Sequence, residues 1–356
     1  METLSAAVIG CGRMGAQPSA RLNGQVPDGW LPLSHAECLS LLPGVRLEAL
    51  CDLDENTVTA AARQYQGAAG FTDYEHLLRE KRPALLAIAT RTPAKAAIIE
   101  GAVAAGVRGI YIEKPLATNI HDSRRLLELL SASGVKIAYG VNRRYHATYR
   151  RARQLAAEGV VGEIGSIVVE HGLAPLLWSH PHAMDLILFL SGASRAVEVQ
   201  ATLAERSFLR QEPLLVDSDP EIESAFFRMN NGVTAAVTTT RGLNVRIAGA
   251  KGNLTVHADG AFLQIDREGG PPRGYFMAHE FLQPEHSTSA TIMAMTELAK
   301  AVRDGGDGPI PPAAIASGTE MLLGCAWSHI QRGRRVIVEE IPVDLVVSGR
   351  SAGFYA

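Results

Sequence analysis

The feature that most constrains this chain is a regular alternation through its first ~140 residues, in which short apolar stretches of strand character are each followed by a helix-like stretch. Strands are expected at 6–9, 45–50, 85–89, 109–112 and 135–139, and helices at 34–42, 54–65, 94–105 and 119–131. Ser34 suits an N-cap, with Glu37 three residues on to complete a capping box. Gly106 suits a left-handed cap at the end of its helix. Chains that alternate in this way bury a parallel sheet between two layers of helices. The expected fold is therefore a doubly wound α/β domain, with any ligand outside the carboxyl ends of the strands.

Beyond about residue 145 the texture changes to long β-branched stretches, which favour strands. After a helix at 149–158, strands are expected at 164–171, 197–203, 222–229, 233–240, 245–247 and 254–257. Asn230-Asn231-Gly232 between two of them is a hairpin signal, so a large, mainly antiparallel open sheet is the expected product. Helices at 181–190, 289–303 and 313–331 are expected to cover one of its faces, and 304–312 reads as a surface loop. The division implied is a dinucleotide-binding domain over 1–141 and an α+β domain for substrate binding and oligomerisation over 142–356.

Composition narrows the function classes. A formal net charge of −3 gives no basic surface for nucleic acid, and no apolar run is long enough to span a bilayer. The start lacks the basic and apolar regions of a signal peptide. The cysteines at 11, 38, 51 and 325 have no metal-ligand spacing and read as reduced thiols of a cytoplasmic protein.

The turn Gly10-Cys11-Gly12-Arg13-Met14-Gly15 directly follows the first strand. In such a turn Gly10 permits the tight bend, Gly12 lets backbone approach a pyrophosphate, and Gly15 allows close helix packing. Arg13 and Met14 complete the expected cofactor-binding loop, and the following helix N-terminus favours phosphate. An acidic residue is expected about 20 residues on, at the end of the next strand. Asp52 ends that strand but lies 37 residues past Gly15. Residues 17–33, rich in Pro and Gly, account for the excess as an insertion between the turn and the bulk of the first helix. Asp52 would then accept from the adenosine ribose hydroxyls, and its charge would favour NAD over NADP. Three more polar loops fall at strand carboxyl ends: Cys51-Asp52, Thr90-Arg91-Thr92-Pro93 and Glu113-Lys114-Pro115.

The stretch "YIEKPLATN", downstream of an N-terminal glycine turn, resembles the Gfo/Idh/MocA oxidoreductases, named for glucose–fructose oxidoreductase and inositol dehydrogenase. Similarity continues through "AYGVNRRYHATYRRARQLAAEGVVGEIGSI", "HAMDLILFLSG" with its His-x-x-Asp pair, and "AGAKGNLTV". The resemblance implies a Rossmann domain that binds NAD with Glu113 and Asn142 beside the turn, and Thr90 and Thr92 are expected there from their place in a strand-end loop. It implies Lys114 as the active-site lysine, often preceding a cis proline, and His182 as the catalytic histidine. Arg143, Trp178, His180 and Asp185 would join Lys114 and His182 around substrate. The sequence departs from the family where an aspartate commonly stands four residues before the histidine, since Trp178 is found there. Lys95 likewise occupies a position that is histidine in many relatives.

The chemistry implied is oxidation of a secondary alcohol, in which NAD⁺ takes hydride and a side chain takes the proton. Histidine in general titrates near neutrality, so His182 suits proton transfer, with Lys114 orienting the alkoxide; the reverse assignment stays open. Trp178 offers a face for a sugar ring. His171, His180 and His182 invite a metal reading, but two of them are two residues apart and would point differently on a helix, so no metal is expected. The substrate expected is a carbohydrate or cyclitol, and the assembly a homodimer or homotetramer through the second-domain sheet. Two other readings are an NAD-retaining enzyme that cleaves glycosides through transient oxidation, and a non-catalytic dinucleotide or sugar sensor.

Overall fold

A computed structural model describes residues 2–27, 29–268, 276–283 and 288–349. Asp28 of the insertion and residues 350–356 of the second expected domain lie outside the described residues. The chain divides into two compact units. The first comprises Met1–Ala117, Ser123–Tyr145 and Ser287–Pro312, and the second Thr118–Asp122, His146–His286 and Ala313–Ala356.

The first unit contains β1 (Leu4–Ile9), α1 (His35–Leu41), β2 (Val45–Cys51), α2 (Glu55–Gln64), β3 (Ala69–Phe71), α3 (Tyr74–Lys81), β4 (Leu85–Ile88), α4 (Thr92–Ala104), β5 (Gly109–Ile112) and β6 (Lys136–Tyr139), with α5 (Ile120–Ala132) between the last two strands. The six strands pair in parallel in the order β3-β2-β1-β4-β5-β6. The order reverses between β1 and β4, where doubly wound sheets open a ligand crevice. Register aligns the strand ends: Ile9 pairs with Cys51 and Ile88, Ile88 with Ile112, and Ile112 with Tyr139. The loops that follow therefore share one edge.

Strand β3 and helix α3 have no counterpart in the sequence pattern. Ala-Gly-Phe is too short to show a period, and Tyr74–Lys81 is a short, highly charged helix. Its start is set by Asp73, whose carboxylate accepts from the amides of Glu75 and His76.

The helix Ala290–Asp304 corrects an expectation. It buries Ala290, Ala294, Met295, Leu298 and Ala299 in the core of the first unit, not over the second sheet. Its apolar stripe shows that one face is buried but cannot say against which sheet. Gly109 makes the room: a side-chain carbon there would fall 2.7 Å from Val302 Cγ2.

The second unit holds α6 (Ala147–Ala157), β7 (Ile164–Glu170), α7 (Pro181–Ser191), β8 (Ala196–Leu203), β9 (Arg210–Glu212), β10 (Leu215–Val216), β11 (Ile222–Met229), β12 (Thr234–Thr238), β13 (Asn244–Gly249), β14 (Gly252–His257), β15 (Phe262–Glu268) and β16 (Phe276–Leu282). After α8, the Ala290–Asp304 helix of the first unit, come α9 (Pro312–Ile330), β17 (Val336–Ile337) and β18 (Val346–Val347). Nine strands form one sheet in the order β16-β15-β14-β13-β7-β12-β11-β8-β17, and β18-β10-β9 form a small second sheet. Neighbours in the large sheet are antiparallel except β7 and β12. The hairpin expected at Asn230–Gly232 joins β11 to β12, with Gly232 at φ +88°. Inward residues of the sheet, such as Ile167, Val199, Ala225 and Leu254, share one core with Met184, Ile187 and Leu190 of α7.

Candidate active site

The glycine turn is built by contacts that only glycine allows. Gly10 lies at φ +92°, donates to Cys51 O at 2.8 Å, and would place a side-chain carbon 2.8 Å from the Ala89 carbonyl. A carbon on Gly15 would fall 1.7 Å from Gly10 O. Gly12 is different, since a carbon there would meet nothing within 4 Å. Its close approach is kept open for something other than protein. Among the described residues the amides of Gly12 and Met14 meet no acceptor, and Thr90 Oγ1 is buried with no hydrogen-bond partner. Asp52 closes the arrangement: Oδ2 accepts from the Cys11 amide at 2.7 Å and Oδ1 from the Asp54 amide at 3.0 Å. Open amides, an open glycine and a carboxylate at the end of β2 fit the phosphates and ribose of a dinucleotide.

The insertion leaves the first helix in register. His35 donates to Met14 O at 2.8 Å and Ala36 to Gly15 O at 2.8 Å. With residues 17–33 left out of the count, both are ordinary bonds to the residue four before. The rung that would join Ser34 to Arg13 is divided between insertion side chains. Ser19 Oγ accepts from the Ser34 amide at 3.0 Å, and Arg21 Nη2 donates to Arg13 O at 2.7 Å. The capping box expected at Ser34 is not formed. Its hydroxyl turns to Gly15 O, and Glu37 accepts from the Ser19 amide instead. The physical reason is that Met14 O and Gly15 O of the glycine turn already accept from the first amides of the helix, those of His35 and Ala36, which a cap would otherwise serve.

Glu113 and Lys114 follow β5. Lys114 is half-buried and the Lys114–Pro115 bond is cis. Glu113 is buried, with Oε1 3.0 Å from Nε2 of the fully buried His35. Burial pushes its carboxyl up, but the hydrogen bond with His35 and the ammoniums of Lys114 and Lys95 hold it below the usual carboxylate range. Gly140 makes space for it, since a side-chain carbon there would fall 2.6 Å from Glu113 Oε2. Asn142 is buried and engaged on both sides, accepting from Tyr111 OH at 2.6 Å and donating to Thr291 Oγ1 at 3.1 Å. Arg143 stacks its guanidinium over Trp30 of the insertion, 5.5 Å from the ring centre. Thr92 opens α4 as its first residue.

The second unit gathers the other expected residues at one helix entrance. His182 and Asp185 lie in the first turns of α7, His180 sits at its N-cap position, and Trp178 precedes it. The segment is tied down by Asp219, whose Oδ1 and Oδ2 accept from the amides of Leu177 at 2.6 Å and Trp178 at 2.9 Å. His180 is fully buried against the His171 ring, 4.8 Å between centres. Burial pushes its imidazole well below the ordinary histidine range, so it is neutral at physiological pH.

His35, Lys95, Gly140 and Asp219 were not among the expected site residues. Each lies far in sequence from its partner, and no local period reports such a pairing. Lys95 alone carried a signal, because it stands at a position that is histidine in many members of the family the sequence resembles.

A family described as an oxidoreductase family with an NAD-binding Rossmann fold matches residues 4–141. The chain is 22% identical to a myo-inositol 2-dehydrogenase of Thermotoga maritima over 86% of this chain and 95% of that one. It is 26% identical to an inositol 2-dehydrogenase of Corynebacterium glutamicum over 82% of each. The fold is shared with an Agrobacterium radiobacter oxidoreductase solved with NAD⁺, L-tartaric acid and magnesium, with a TM-score of 0.71 and 16% identity over 96% of this chain and all of that one. The matched region holds the glycine turn, Asp52 and the Glu113-Lys114-Pro115 loop, so residues 4–141 match the NAD-binding Rossmann domain of the Gfo/Idh/MocA oxidoreductases.

Proposed function

We propose that the chain is an NAD-dependent oxidoreductase that moves hydride between nicotinamide and a secondary alcohol or ketone of a sugar, cyclitol or related polyol. The observation that carries this reading is the Asp52 carboxylate, anchored on the Cys11 amide beside the open Gly12 turn. Each oxygen accepts one backbone amide, which leaves lone pairs for ribose hydroxyls. Its charge opposes a 2′-phosphate and so favours NAD over NADP. Two relatives named as inositol dehydrogenases support a polyol as substrate.

When bound, NAD⁺ supplies the acceptor for hydride. The alcohol proton must go to a side chain. His182 takes the larger share of that transfer, and Lys114 orients and stabilises the alkoxide. Glu113 does not compete for the proton, because its carboxyl is kept ionised and turned to His35. Arg143, Trp178, His180 and Asp185 shape the substrate's surroundings, and Thr90, Thr92 and Asn142 those of the cofactor. The four cysteines are buried free thiols, which supports a reducing, cytoplasmic setting. No helix among the described residues is long and apolar enough to cross a membrane. Phe226 and Phe281 are 55% and 61% exposed on the large sheet, which supports a homodimer or homotetramer covering that face.

The test is a panel of polyols and sugars with NAD⁺, read by NADH absorbance and product mass. Oxidised product with matching NADH is expected; cleaved product without net NADH would move the chain to redox-assisted cleavage. Lys114→Ala should lower turnover about 10³-fold while the Kd for NAD⁺ stays within about threefold, as the lysine's work is proton handling and not dinucleotide binding. Unchanged turnover would remove Lys114 from the mechanism.

A further inference from the structure

Lys95 is a buried cation that feels the Glu113 carboxylate only at a distance. It sits in the first turn of α4, 1% exposed, and among the described residues makes no ion pair. Its Nζ donates instead to two carbonyls: to Glu113 O, and to Pro115 O at 2.6 Å. Those two carbonyls bracket Lys114. An ammonium is a costly way to hold backbone, because burial in low dielectric disfavours its charge. Burial brings the Lys95 ammonium down to about 7. The compensation is a pair of hydrogen bonds that a shorter side chain at this position would not make together. The next strand adds a third restraint, since the Leu116 amide donates to Tyr139 OH at 3.0 Å.

We propose that Lys95 is the positioning residue for Lys114: by binding the carbonyls on either side of it, Lys95 fixes the backbone from which the lysine projects. The inference rests on the reading of Lys114 as a proton-handling group, and the test separates the two. Among the described residues Lys95 makes no hydrogen bond to the glycine turn or Asp52, so its removal is expected to spare dinucleotide binding.

Lys95→Met keeps the length of the side chain and removes both hydrogen bonds. Lys95→Gln keeps a donor nitrogen on a shorter side chain and serves if the first variant does not fold. Amide hydrogen exchange in the full-length protein without substrate reads the clamp directly. Exchange over 113–117 should rise at least about tenfold in Lys95→Met, less in Lys95→Gln, and stay unchanged over 109–112. With the polyol chosen by the panel, kcat should fall about 10²-fold, while KM and the Kd for NAD⁺ move little. Unchanged exchange over 113–117 would overturn the proposal. So would an equal rise throughout β5, or failure of both variants to fold, since either makes Lys95 a general core residue. Local loosening in a protein that turns over no polyol would uphold the clamp and reject the proposed activity.

Discussion

The glycine turn and the Trp178–Asp185 segment both lead into a helix and both carry candidate ligand-binding groups, yet they are held in different ways. The turn is held mainly by backbone, with Gly10 on Cys51 O and a helical ladder that continues at His35 as though residues 17–33 were absent, and the Asp52 carboxylate adds one bond from the Cys11 amide. The second segment is held largely by one side chain, Asp219, which takes two adjacent amides from over forty residues away. Backbone-coded geometry tolerates an interruption, because the ladder needs only the right atoms at its ends. Geometry held by one carboxylate depends on that residue.

Substitutions in the turn should give the largest effects and show what each glycine is for. Gly15→Ala drives a methyl into Gly10 O, so the turn cannot form; NAD⁺ binding should be lost and stability should fall by more than about 3 kcal/mol. Gly12→Ala has room for its methyl, so the melting temperature should hold while NAD⁺ affinity drops about tenfold or more. If Gly12→Ala bound NAD⁺ normally, the open face would not be a phosphate site.

Excision of residues 17–33, joining Ala16 to Ser34, comes next. The helical circular dichroism signal of α1 should survive, but loss of the buried Trp30 should cost about 3–5 kcal/mol. Failure of that variant to bind NAD⁺ while still folded would show that the turn depends on the insertion, and the contrast drawn above would fail.

Asp219→Ala leaves two amides without acceptors and should cost about 2–4 kcal/mol in denaturant melts. NAD⁺ affinity should not change, and KM for the polyol should rise. A melt within about 0.5 kcal/mol of the parent would mean that the hydrogen bonds between 174–176 and 220–222 suffice to hold the segment.

Asp52→Ala is the smallest expected change. Preference for NAD over NADP should relax about tenfold, near 1.4 kcal/mol, measured as the ratio of kcat/KM values. Retained discrimination would reject the ribose role.

Much of this architecture is legible in the sequence. The five longer apolar strands of the first unit, the hairpin after Met229 and the His-bearing helix all follow from period and turn chemistry. The insertion was legible too, because the spacing from Gly15 to Asp52 was too long for the motif it interrupts. Strand β3 and helix α3 were not, being too short or too charged to show a period. Nor was the placement of the Ala290–Asp304 helix, since an apolar stripe does not name the sheet it covers.

What the sequence determined by itself was local: which stretches alternate at two or at 3.6 residues, where glycine must bend the chain, and which acidic residue ends the second strand. These are properties of neighbouring residues, set by backbone sterics and side-chain burial. Tertiary structure alone decided that His35 meets Glu113, that Lys95 grips the carbonyls around Lys114, that Trp30 lies on Arg143, and that Asp219 secures Trp178. Such pairings arise when packing brings distant polar groups out of water together, and each then requires a partner that no local pattern specifies.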